Sequence, residues 1–105
     1  MLKSNRPPAV TAPKHLARIE AELWTRLHHS FTLDDPASLE LLTQMCEARQ
    51  RARLARAQLD AEGCTYRDSR GDLKQHPAVA VERSSMNAFV SAMRLLRLDL
   101  SGEKK

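Results

Sequence analysis

Residues 41–59, LLTQMCEARQRARLARAQL, decide the fold. Leu41, Met45, Ala48, Ala52, Ala55 and Leu59 recur at steps of four, three, four, three and four, one heptad seam of a helix. Three of the six are alanines, so a partner backbone can approach closely along the middle of the seam. Upstream, Thr32-Leu33-Asp34-Asp35-Pro36 breaks the chain. Either aspartate can cap a helix, and Pro36 suits a first turn, where its missing N–H costs nothing. Downstream, Gly63 is placed to end the helix as a left-handed stop. The predicted helix covers residues 36–62.

The flanks of the seam differ in charge. Arg49, Arg53 and Arg56 share one side, while Glu40, Glu47 and Glu62 lie on the other, with Arg51 four residues after Glu47. A solvated helix laced with local ion pairs, Arg56 to Asp60 among them, explains this pattern. Two sharper readings stand beside it. In one, opposite flanks of neighbouring copies meet, with Leu41, Met45, Ala48, Ala52, Ala55, Leu59, Glu40 and Glu47 at the interface. Such a contact is heterologous and closes into a ring if the rotation permits. In the other, the arginines face DNA phosphates. The pattern does not choose between them.

Working outward, Leu16, Ile19, Leu23 and Leu27 form a helical stripe, with Trp24 on its shoulder and Phe31 closing it. Pro13 opens this first helix, residues 14–30, with Thr11 as a cap. A connection of a few residues makes helices one and two an antiparallel αα-hairpin. After Gly63, two short extended pieces around Asp68-Ser69-Arg70-Gly71 read as a small β-hairpin or an ordered loop over 63–77. Pro77 pushes His76 out of helical geometry and opens helix three, residues 78–98. There Met86, Phe89, Val90, Met93, Leu96 and Leu100 share a face. His76 reads as a hydrogen-bonded residue fixing the loop against that helix. The expected organisation is a flexible basic arm (1–12), one all-α domain (13–100) and a frayed tail (101–105).

The 105 residues carry 29% charged side chains, four aromatics and a net charge of +4. So few aromatics in one small domain limit the core and favour self-association. No segment is strongly basic, so the charge tolerates a nucleic-acid partner without demanding one. Apolar runs are far too short for a membrane span, and no secretory leader is visible at the start. Cys46 and Cys64, with no Cys-x-x-Cys or neighbouring ligand histidine, read as reduced thiols of a cytoplasmic protein. Catalysis is not expected. The glycines stand apart at 63, 71 and 102, giving no phosphate loop. Adjacent His28 and His29 point about 100° apart on a helix and do not share a metal. No metal or cofactor is expected.

One further pattern spans most of the chain. Gly63-Cys64-Thr65-Tyr66, Gly71, His76-Pro77-Ala78-Val79, Met86 and Met93-Arg94-Leu95-Leu96 occur in order. Upstream come the proline-bearing arm, Trp24, and Asp35, Leu39, Leu42 and Cys46 at the start of the long helix. Over residues 7–98 the chain resembles the phage terminase small subunits of the P27 type. The resemblance implies a non-catalytic ring that recognises the packaging start on viral double-stranded DNA and regulates a large ATPase and nuclease subunit. It places the protein in the cytoplasm of a bacterial host, away from membranes. It also implies that Gly63, Tyr66, Gly71, His76 and Pro77 are architectural. After Leu96 such proteins often continue Leu-Gly-Leu-Thr-Pro, whereas here Arg97-Leu98-Asp99-Leu100-Ser101-Gly102 follows. The DNA-contact candidates are Lys3, Arg6, Lys14, Arg18, Arg49, Arg53 and Arg56. A small dimeric DNA-binding regulator with a degenerate helix-turn-helix, or a helical adaptor without nucleic-acid affinity, are the alternatives.

Overall fold

The long central helix, α2 (Pro36–Glu62), forms where the heptad seam predicts it. Asp35 is its cap: the carboxylate accepts the Ser38 N–H at 3.0 Å, and Pro36 occupies the first turn. Gly63 ends it by donating its N–H to the Leu59 carbonyl at 2.7 Å. The glycine is not a left-handed helical stop, however. Its φ of 87° and ψ of 162° combine positive φ with extended backbone, a region essentially closed to other residues.

The computed structural model describes residues 10–97. Around α2 stand α1 (Arg18–Phe31), a hairpin of β1 (Thr65–Arg67) and β2 (Leu73–Gln75), and α3 (Pro77–Leu96). The hairpin pairs antiparallel with Tyr66 opposite Lys74, so the 63–77 segment is a true two-stranded ribbon. α3 runs antiparallel to α2. Ala78 packs near Ala55 and Leu59, Glu82 bonds Arg56, and Phe89 and Met86 meet Arg49. Residues 1–9 of the basic arm, with Lys3 and Arg6, and the residues from Leu98 to the tail, Leu100 included, lie outside the described residues.

Three expectations shift. α1 begins at Arg18 instead of residue 14, with Ala17 at its cap position and no side-chain cap, so Thr11 and Pro13 do not start it. Its buried face is also rotated. Glu20, Trp24 and Phe31 are buried, whereas Ile19 is 57% exposed and Leu23 and Leu27 are half-buried. On α3, burial centres on Ala78, Ser85, Ala92 and Leu96, with Met86, Phe89, Val90 and Met93 only partly covered. Ala78 of α3 thus meets Ala55 and Leu59 of the α2 seam, which permits close approach of the two backbones there.

The seam itself is closed inside one chain. Met45, Ala48, Ala52, Ala55 and Leu59 are all buried by the chain's own helices, and Leu41 is half-buried. The alanine stripe therefore does not need a neighbouring copy to cover it. Of the residues expected at a contact between copies, Glu40 is exposed and Leu41 and Glu47 are half-buried.

Candidate functional site

The arginine flank of α2 looks out between α1 and α3, and its three members are used differently. Arg53 donates from Nε and Nη2 to the two carboxylate oxygens of Glu20, at 2.7 and 2.9 Å. Glu20 is fully buried, so the pair clamps α1 onto α2, and the hydrogen bonds hold the Arg53 guanidinium above its ordinary pKa. Arg56 makes a second fork, to Glu82 of α3 at 2.9 and 2.6 Å, and reaches Asp60 at 3.4 Å. That fork raises the Arg56 pKa and lowers that of Glu82. Arg49 meets no carboxylate among the described residues. Its guanidinium lies 5.7 Å from the Phe89 ring centroid and 3.6 Å from Met86 Sδ.

The remaining candidate cations are at the surface. Arg18 bonds Glu22 one turn along α1 at 3.3 Å, with its side chain 91% exposed, and Lys14 is exposed just before α1. On the acidic flank, Glu47 bonds His15 Nε2 at 2.7 Å, not Arg51 as the spacing suggests. Glu40 accepts from Gln44 at 3.3 Å.

The ordered motif sits at the turns. Asp68 Oδ1 accepts the N–H groups of Arg70 and Asp72, and Gly71, at φ 86°, donates its own N–H to the Asp68 carbonyl at 2.9 Å. Tyr66 stands exposed on the ribbon. His76 caps α3: its Nδ1 accepts the Ala78 N–H at 3.0 Å, while Nε2 lies 2.8 Å from Glu62 Oε1. A bare Nδ1 fixes the proton of the neutral ring on Nε2, where it is donated to Glu62. The bond holds the Glu62 carboxyl below its ordinary pKa. Helix end, ribbon and the next helix are tied together at this one imidazole, with Pro77 in the first turn of α3.

Trp24 is buried and donates its indole N–H to Thr43 Oγ1 at 3.1 Å, with the His28 ring stacked 5.2 Å away. Cys46 is buried and Cys64 exposed, both as thiols. Burial, reinforced by the Glu20 and Glu47 carboxylates, pushes the Cys46 thiol up to about 12, which leaves it un-ionised near neutrality. Among the described residues no three His, Cys, Asp or Glu side chains gather as a metal site. No described helix is long and apolar enough to cross a membrane.

The signal missed in the sequence is Glu20. A carboxylate inside an apolar stripe scores as solvent-facing, yet Arg53 on the facing flank of α2 was the available clue. Glu20 is captured by that arginine, and its neighbour Ile19 stands exposed.

Two helices packed on one central spine, with shallow clefts between them and a small β-ribbon, define a small, mainly helical domain. The phage terminase small subunit family model matches residues 21–105, so the chain belongs to that family and its role lies in phage DNA packaging. The match starts inside α1 and continues past residue 98, where the motif resemblance ended. No curated protein and no solved structure matches the chain.

Proposed function

We propose that the chain is the non-catalytic half of a packaging terminase in the cytoplasm of a bacterial host. Copies assemble as a ring, bind viral double-stranded DNA at the packaging start and regulate the large ATPase and nuclease subunit. No cofactor takes part. The family match over residues 21–105 carries this reading. The cation inventory supports it in a modified form. Arg53 and Arg56 are engaged by Glu20 and Glu82, so they hold helices together. Phosphate contacts fall instead to Lys3 and Arg6 of the arm and to Lys14 and Arg18 beside it. Copies meet through surface outside the closed seam, where Leu54 and Val81 remain half-exposed along a cleft of about 370 Å³ between α2 and α3.

Retention of packaging-start DNA against salt tests the DNA arm of this reading. Each lost phosphate contact lowers the slope of log affinity against log salt by about 0.9. Lys14→Ala with Arg18→Ala is therefore expected to flatten the slope by nearly two such steps; an unchanged slope would remove both residues from the DNA face. Native mass spectrometry tests the ring. A closed multimer supports it, a dimer with a short palindromic footprint supports the small regulator, and no DNA retention at low salt supports the adaptor.

A further inference from the structure

The gap between α1 and α3, floored by α2, is a cleft of about 330 Å³ lined by Ile19, Glu20, Leu23, Arg26, Arg49 and Phe89. Its walls are apolar. Ile19 is 57% exposed although it falls on the predicted core stripe, and Leu23 and Phe89 are half-buried. Its cations are unspent. Arg26 and Arg49 are both exposed, and neither has a carboxylate partner among the described residues. The carboxylate in the cleft does not neutralise them, because Glu20 already accepts both hydrogen bonds of the Arg53 fork. Arg49 is held in place by the Phe89 ring and Met86, so its charge is positioned before anything binds.

An exposed isoleucine and two unpaired guanidinium groups around one concavity ask for an occupant carrying both apolar side chains and carboxylates. A phosphate backbone satisfies the arginines but leaves Ile19 and Leu23 uncovered. The acidic flank that a second copy of this chain offers is already engaged, Glu47 by His15 and Glu40 by Gln44. An amphipathic helix with acidic flanks supplies both kinds of contact, laying its apolar face in the groove and its carboxylates on the rim. We infer that this cleft docks an acidic amphipathic helix of the large terminase subunit. The inference rests on the proposed packaging role and gives Arg49 to a protein partner instead of DNA.

The test measures binding of the purified full-length chain to the purified large subunit, with DNA retention and native mass in parallel. Both positions are exposed; Ile19→Gln keeps the charge, Arg49→Gln removes one, and circular dichroism checks helix content. Each is expected to weaken large-subunit binding by about tenfold or more, the scale of a central anchor residue. Ile19→Gln is expected to retain DNA and oligomer mass like the parent. Large-subunit binding unchanged in both variants overturns the inference while leaving the packaging role standing. Loss of the oligomer with either variant assigns the cleft to contacts between copies and also overturns it. A parent chain that does not bind the large subunit at all overturns both the inference and the regulatory role beneath it.

Discussion

The two ends of α2 are held in different ways. Its N-terminal part lies between α1 and α3, in a core of large side chains: Trp24, Phe31, Leu33, Leu42 and Met45, with Leu16, Cys46, Ala92 and Leu96. Its C-terminal part rests in a smaller cluster, Ala55, Leu59 and Ala78 with Val79 against it. Buried apolar area sets the hydrophobic contribution, so the first region is the stronger one per turn of helix. The second relies on close backbone approach, on the Arg56–Glu82 fork and on the His76 tie to Glu62. One continuous helix thus joins a conventional core to a thin, polar-braced extension. The ribbon sits at the thin end.

The largest expected effect is Leu42→Ala, which empties the three-helix core and costs about 2–5 kcal/mol in urea unfolding. Leu59→Ala is expected at the low end of that range, because fewer large neighbours surround it. Equal losses would erase the distinction between the two regions. Ala52→Leu acts oppositely, by forcing volume into a close helix contact, and is expected to cost about 1–3 kcal/mol. A neutral result there would mean that α3 does not approach α2 as closely as the small residues allow. Asp35→Ala removes the cap of the N-terminal end and is expected to cost about 1 kcal/mol, visible as a modest fall in the thermal midpoint.

The smallest effect sharpens the comparison by pH. Glu82 and Glu62, both at the thin end, have folded pKa values below the ordinary 4.5, through hydrogen bonds from Arg56 and His76 respectively. The unfolded chain then binds protons more readily. The stabilisation is complete above the ordinary carboxylate range and is lost as pH falls through the lowered folded values. The stability gap between parent and Glu82→Gln, measured by thermal melts, should therefore shrink below about pH 4.5. A gap that persists in strong acid would show that the fork contributes through packing alone.

Much of this scaffold is legible in the sequence. The seam of α2, its Asp35-Pro36 start, the ribbon and the His76-Pro77 entry to α3 all follow from spacing and turn chemistry, which are local. The failures involve partners distant in sequence. Glu20 is buried because Arg53, 33 residues away, matches it. With Glu20 turned inward, Ile19 beside it is exposed, and both line the cleft. Ser85 and Ala92 lie on the buried face of α3, Ala92 against the large side chains of the three-helix core, whereas periodicity weights the larger Met86 and Val90. The arginine flank looked uniform from its spacing, yet two members meet carboxylates on α1 and α3 and the third meets Phe89. The site therefore depends on which side chains α1 and α3 bring to α2, and the sequence of α2 alone does not contain that.

Native-state hydrogen exchange resolved along α2 tests the central claim most directly, since it reads the stability of each turn separately. Amides from Leu42 to Arg53 are expected to exchange only with global unfolding, while those from Ala55 to Glu62 open earlier together with the ribbon. Uniform protection along α2, or stronger protection at its C-terminal end, would contradict it.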